Sequence, residues 1–339
     1  MRPVDPAAPR PGAAAGPRPG KAAGPRPVAA AGPRHGGLLV LGDVVTDVVA
    51  RYRAPLAHGT DTAAAIRLLP GGAGANVACW AARWGCADVT LLGRVGAESA
   101  AWHEQALRTA GVRPRLVVDE EVPTGTVICL VDGAAERTFL TDSGAVLRLR
   151  PGDWSPALLD GVAQLHLSGY LFFADGSRAT ARLALSAARA RGIPVSVDPA
   201  SAGFLAEAGV DRFLDAVEGA EALLPNREEA ALLAGIPAAD PPGPPSPAEA
   251  GEAAAKLGSR FPLVAVTAGA EGALVVEDGA APVRVPGVRV TARDTTGAGD
   301  AFTGAFLAAR LGGASAVEAA AEGCRAGARA VLRVGGRPG

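Results

Sequence analysis

The sequence predicts an α/β fold in which helices cover both faces of a mostly parallel central sheet, and three observations point there. From Gln164 onward apolar runs alternate with helical patterns: LHLSGY, a helical stretch at 177–191, then PVSVDPA. Such alternation belongs to crossovers between parallel strands. Residues 38–41 form a short apolar run closed by Gly42 and Asp43, as in a strand buried on both faces. Two glycine-rich turns, at 70–76 and 294–300, each run straight into a helical pattern.

Taken in order, the strand at 38–41 is followed shortly by Asp47. Residues 51–69 carry alternating and β-branched positions broken by Pro55 and Gly59, the pattern of exposed antiparallel strands. After the first glycine turn come a helix at 77–84, a strand at 89–92 and a helix at 98–110 that stops at Gly111. Residues 115–119, 126–131 and 137–140 read as further strands, the last two joined through Asp132 and Gly133. Leu223 and Leu224 end another strand, and Asn226 opens the next helix. Residues 236–248 form a proline-rich surface connection, and a strand, a turn from Thr267 to Gly272 and a return strand follow it.

The glycine turns carry the chemistry. Gly297, Ala298 and Gly299 have little or no side chain, so their amides can converge on an anion where the helix starts. Asp300 sits inside that positive mouth. A first-turn carboxylate gains roughly 0.3–1 kcal/mol from the helix dipole; the same group can act as a base beside a bound phosphoryl group. Asn76 brings donors and an acceptor to the other turn. Asn226 and Glu229 have the spacing N-x-x-E, which places both on one side of a first helical turn and also suits a capping box. Ser168, Gly169 and Asp198 fall at or near strand carboxyl ends, where open α/β sheets gather ligands. Arg137 suits a solvated strand or an anionic substrate.

Together GGAGAN, at 71–76, and DTTGAGD, at 294–300, resemble the paired signatures of the ribokinase-like (PfkB) sugar kinase family, over roughly residues 37–336. The resemblance implies a three-layer α/β/α sandwich with a small β lid, its strands at about 51–69 and 115–140, on a kinase domain spanning 37–339. It implies ATP-dependent phosphorylation of a sugar or sugar-like hydroxyl, with Asp300 as general base and Gly297, Ala298 and Gly299 as anion hole. By the same resemblance Asp47, Gly72, Asn76 and Ser168 meet the substrate, and Asn226, Thr267, Gly269 and Gly272 meet the nucleotide. Glu229 then helps hold Mg2+ through water, which suits magnesium's preference for a few oxygen ligands, waters and phosphate. Asp294 and Thr296 match a monovalent-cation site, usually for K+, completed by carbonyls near Ala330, Arg333 and Gly335.

Asp47 matches the family's sugar-binding aspartate better than Asp43 does. Ala73 stands where ribokinase itself has a lysine, which argues for another hydroxyl substrate or another pose. A ribokinase-type pentose kinase leads; fructose, nucleoside and 2-keto-3-deoxygluconate kinases stay open, as does a non-catalytic ligand- or partner-binding protein on the same fold. Some members pair lid strands between subunits, so a homodimer is an expectation. No GxxxxGK[ST] and no GxGxxG after the first strand occur, against a P-loop kinase and a dinucleotide dehydrogenase.

Composition sets the remaining bounds. At 339 residues and 49% hydrophobic content the chain can bury a full core. A net charge of -1 gives no warrant for a nucleic-acid partner, and no apolar run is long enough to span a membrane. Cys79, Cys86, Cys129 and Cys324 form no CxxC pair, and a reduced, cytoplasmic setting is expected. Residues 1–36 differ from the rest: six basic residues against Asp5, in repeated Ala-Gly-Pro-Arg units without a hydrophobic face. They are expected to stay disordered. Their prolines and lack of serine count against a transit peptide.

Overall fold

The computed structural model describes residues 1, 34–133, 137–237 and 243–339. The expected tail lies almost wholly outside the described residues, as do the tip beyond Gly133, the side chain of Arg137 and the middle of the 236–248 connection.

The strands, in chain order, are β1 (Gly37–Leu41), β2 (Val45–Tyr52), β3 (Ala64–Gly71), β4 (Val89–Gly96), β5 (Arg113–Asp119), β6 (Thr124–Val131), β7 (Arg137–Gly144), β8 (Val162–Ser168), β9 (Val195–Asp198), β10 (Ala222–Leu223), β11 (Leu263–Thr267), β12 (Gly272–Glu277) and β13 (Val283–Pro286). The helices are α1 (Ala73–Arg83), α2 (Ala100–Thr109), α3 (Asp175–Ala190), α4 (Ala202–Ala208), α5 (Val210–Ala216), α6 (Arg227–Leu233), α7 (Pro247–Gly258), α8 (Ala298–Leu311) and α9 (Ala316–Ala330). Nine strands make one sheet in the order β13-β12-β11-β10-β9-β8-β1-β4-β5, in which β12 alone runs antiparallel to the others.

Why this sheet is sandwiched follows from β1. Successive side chains of a strand point to opposite faces, and every residue of GLLVL is buried. Leu39 and Leu41 enter a core shared with residues of α3 to α7, whereas Leu38 and Val40 enter a second core shared with α1, α2, α8 and α9. A strand apolar on both faces therefore requires helices on both, which gives the three layers. No helix of the described residues is long and apolar enough to cross a membrane.

A second sheet, β3-β2-β6-β7, is the lid. Its first strand starts earlier than expected, at Val45, and carries Asp47. The expectation for 115–119 needs correction: β5 pairs in parallel with β4 at the edge of the large sheet and is not a lid strand. The cause is packing, because Leu116 and Val117 lean into the two cores on opposite faces. The lid alternates as well. Val45, Asp47, Val49, Val127, Cys129, Phe139 and Thr141 face a cavity against the large sheet, and the register Leu68–Val48–Ile128–Leu140 runs across the other face.

Strand β1 sits between β8 and β4, so the chain turns to opposite sides of it. That reversal opens a crevice at the carboxyl ends of the strands. Helices α1 and α8 meet beside it at Gly304, where an added Cβ would come within 2.5 Å of the Val77 carbonyl oxygen. Gly304→Val is expected to force these helices apart at a cost of about 1–3 kcal/mol, measured by chemical denaturation; unchanged stability would mean that their close approach is dispensable.

Candidate active site

The carboxyl ends of β1, β8, β9, β10 and β11 open into a cavity of about 640 Å³, roofed by the lid. Asp47, Gly72, Asn76, Asn226, Glu229, Thr267, Asp294, Thr296, Gly297, Gly299 and Asp300, all singled out from the sequence, line it.

Gly297 precedes α8 with φ 73°, and the Gly336 backbone blocks any side chain there, so two constraints select glycine. No side chain caps this helix. The Ala298 amide donates to the Thr295 carbonyl at 3.3 Å. The amides of Gly299 and Asp300 have no acceptor among the described residues. Two backbone donors and the positive end of a helix of 14 residues therefore face the cavity, an arrangement that suits an anion.

Asp300 lies on the first turn of that helix. Asn76 Nδ2 donates to its Oδ2 at 2.7 Å, which joins the two glycine turns across 224 positions. Asn76 Oδ1 is buried with no partner, and the Gly336 backbone packs against the same amide group. Burial raises the Asp300 pKa well above the ordinary range, against the Asn76 hydrogen bond; Asp198, Asp43 and Asp47 raise it further. A carboxylate so placed is a stronger base than a solvated one once it is deprotonated.

Asp43 and Asp47 divide two tasks. Asp43 accepts from the amides of Ala73 at 2.6 Å and Gly74 at 3.0 Å and from Ser168 Oγ at 2.7 Å, so it clamps β1 to α1 and β8. Ser168 is buried against Asp43 and does not line the cavity. Asp47 faces the cavity. Gly71 leaves room for its carboxylate, and burial lifts its pKa to about 7 despite the opposing charge of Arg337.

Asn226 and Glu229 form the capping box of α6: Glu229 accepts from the Asn226 amide at 2.8 Å and from Asn226 Nδ2 at 2.7 Å. Burial, then the charge of Asp198, raise the Glu229 pKa to about 8. Asp198 accepts from the Ala200 amide at 3.0 Å and from Thr303 Oγ1 at 3.1 Å, while burial lifts it to about 6. Ala200 is held at φ 73°, a conformation that costs a non-glycine residue roughly 1–3 kcal/mol. Both Glu229 oxygens are engaged within the chain, and this suits contact with a metal through water better than direct ligation. Among the described residues, the cavity lining carries six carboxylates and no lysine, arginine or histidine. Among the described residues no three acidic, histidine or cysteine side chains are placed to hold a metal ion by themselves, so a divalent cation there would take the rest of its ligands from water and phosphate.

Asp294 accepts from the amides of Thr296 at 3.0 Å and Gly335 at 3.1 Å, tying the end of the chain to the turn before α8. Gly269 and Gly272 lie in the β11–β12 turn outside the lining residues; Gly272, at φ 102°, has the Val285 carbonyl where a side chain would stand. Sequence reasoning passed over Thr303 and Tyr170, which both line the cavity. The spacing of Thr303, three positions after Asp300 on one helix face, was the signal for the former.

A sandwich whose acid-lined cavity opens on an uncapped helix is the framework of a phosphotransferase that acts on a hydroxyl group. The chain belongs to the pfkB family of carbohydrate kinases, whose model matches residues 37–339. It is 33% identical over 286 residues to a fructokinase from Klebsiella pneumoniae, covering 81% of this chain and 84% of that one. It is 31% identical over 318 residues to the bifunctional protein HldE from Azorhizobium caulinodans, covering 88% of this chain and 61% of HldE, so it spans less than two thirds of that relative. Among solved structures, a putative ribokinase II from E. coli in complex with ATP and Mg+2 superposes with a TM-score of 0.75 at 23% identity, over 89% of this chain and 94% of that one.

The carboxylate cluster has a consequence for stability. An acid whose pKa is raised by folding binds more protons in the folded state, so stability falls as pH rises from the ordinary carboxylate range to the folded value. Glu229 carries this window up to about pH 8, and Asp300, raised well above the ordinary range, adds to it. The melting temperature of the ligand-free chain is expected to drop across that window, and Asp198→Asn to shrink the drop. An equal drop in the variant would show that these charges do not repel one another.

Proposed function

We propose that this protein is a ribokinase-type sugar kinase, which transfers the γ-phosphoryl group of ATP to a hydroxyl of a sugar or sugar-like compound. One observation carries the proposal: the Asp300 carboxylate, bonded to Asn76 at 2.7 Å, shares a cavity with the uncapped N-terminus of its own helix. A base and an anion site are thus fixed side by side. Phosphoryl transfer asks a protein for little more than this positioning and for charges set where charge builds up.

Asp47, the Gly72 backbone and the unpaired Asn76 Oδ1 hold the acceptor's hydroxyls. Ser168 supports them through Asp43. Asp300 takes the proton from the reacting hydroxyl, while the amides of Gly299 and Asp300 receive the phosphoryl oxygens; losing one such donor costs about 2.7–4 kcal/mol in other enzymes. Gly297 and Ala298 shape that mouth. Thr267 and Asn226 flank the nucleotide, with Gly269 and Gly272 forming the turn along its edge.

Glu229, through water, and Asp198 are the side chains that would hold magnesium. Magnesium, when bound, would neutralise phosphate charge in a cavity with six carboxylates among its described lining residues. Asp294 and Thr296 organise the turn at which we place a potassium site. The lid keeps water from the phosphoryl group. Its other face exposes Ile66, Leu68 and Leu140; we assign this surface to a homodimer, tested by sedimentation of the full chain.

The experiment is ADP release from ATP and magnesium across a panel of sugars, beside Asp300→Asn. Acceptor-dependent release is expected, falling about 10²- to 10⁴-fold in the variant with its fold intact. The native rate should rise with pH through a midpoint above the ordinary carboxylate range, because burial raises the pKa of Asp300. Exchanging potassium for a bulky organic cation in the same assay should slow it; equal rates would remove the potassium site. Undiminished release by Asp300→Asn would remove the base.

A further inference from the structure

Residues 334–337 run beneath the root of the lid, and their contacts converge on Asp47. Val334 packs against a cluster of lid side chains made by Val49, Cys129 and Val131, which Leu69 also joins. Leu69 is the partner of Asp47 in the register of β2 and β3. Asp294 accepts from the Gly335 amide at 3.1 Å, and Trp80 donates to the Gly336 carbonyl at 2.8 Å. Arg337 is thereby brought to the first glycine turn, where its Nη2 donates to the Gly71 carbonyl at 3.0 Å.

Gly71 connects Arg337 with Asp47. A Cβ added to Gly71 would come within 2.4 Å of the Asp47 carboxylate, so this carboxylate lies against the backbone of the residue that Arg337 holds. Gly72, the next residue, lines the cavity together with Asp47. Side chains alternate along a strand, and Thr46, on the face opposite to Asp47, meets Nε2 of the buried His103 at 3.2 Å. Val45 pairs with Gly71. The start of β2 is therefore held from α2 by His103 and, through Gly71, by Arg337.

Asp43 is fixed by three hydrogen bonds. The Asp47 carboxylate accepts none from the described residues, and the charge that acts against its burial is that of Arg337. The arginine gains little stability from this position. Its Nε and Nη1 are buried without a hydrogen-bond partner among the described residues, and burial lowers its pKa against the influence of Cys79 and Asp47. Taking a guanidinium out of water for one hydrogen bond to a neutral carbonyl is unfavourable. A cost of that kind persists where it serves a site.

We infer that Arg337 is a positioning residue for the acceptor: by holding the Gly71 carbonyl and facing the Asp47 charge, it fixes the carboxylate that receives the acceptor's hydroxyls. This rests on the kinase function proposed above. It adds a residue that does not itself line the cavity.

The test is a double-mutant cycle on the full chain, with ATP, magnesium and the best acceptor from a panel of pentoses, hexoses and nucleosides. Arg337→Met is expected to raise KM for that acceptor about tenfold, while kcat and the KM for ATP stay within about threefold. Arg337→Lys, which keeps the charge, should recover part of the loss. Added to Asp47→Asn, the Arg337→Met change should raise KM by less than about threefold, because the group it acts through is gone. The melting temperature of Arg337→Met should equal or exceed that of the native chain, since an apolar side chain replaces a buried cation. Three results each overturn the inference and leave the kinase standing: an unchanged acceptor KM in Arg337→Met, an equal rise in both backgrounds, or a lowered melting temperature with equal losses for acceptor and ATP. Should Arg337→Met fold poorly, Arg337→Lys carries the same cycle. A folded native chain that releases ADP with none of the compounds sinks both.

Discussion

The hydrogen bond between Asn76 and Asp300 is the contact on which the rest depends. It joins two glycine turns 224 positions apart at 2.7 Å, and neither turn is a site without the other. Glycines make the approach possible: Gly304 lets α8 lie against α1, and Gly336 packs against both Asn76 and Gly297. The end of the chain is therefore part of the same structure, held by Asp294 from one side and by Trp80, which donates to the Gly336 carbonyl at 2.8 Å, from the other. A side chain at any of these glycines would push Asp300 and the start of α8 away from Asn76.

Charge is the second constraint. Six carboxylates gather around one cavity, and a folded chain tolerates that density because several are neutralised by protonation or saturated by hydrogen bonds. Asp43 is saturated by backbone amides and Ser168, whereas Glu229, Asp47 and Asp198 respond by elevated pKa values of about 8, 7 and 6. Such an arrangement is unfavourable for the empty protein and, on the function proposed, favourable once magnesium and a nucleotide are bound. Stability and activity accordingly pull in opposite directions at the same residues.

Much of this was legible in the sequence, for physical reasons that also explain the gaps. The glycine turns stood out because only glycine meets the demands of positive φ and close approach at Gly297 and Gly72. Strand β1 stood out because burial on both faces removes polar residues. Strand β5 misled, because RPRLVVD is half-exposed and its edge position comes from pairing with β4, a contact no local pattern encodes. Tyr170 was missed for a similar reason: one aromatic after a strand is usually core, and only the fold brings it to the cavity wall. Ser168 was found by its place at a strand end but acts behind Asp43 and not at the cavity wall.

Direct transfer between two substrates held in one cavity, with Asp300 as base and never as nucleophile, is the central claim. The measurement that tests it most directly is the stereochemical course at a γ-phosphorus made chiral with oxygen isotopes and sulfur. A single in-line displacement inverts that centre, and inversion is the predicted result. Retention would mean two displacements through a phosphorylated enzyme group, and would contradict the role given to Asp300.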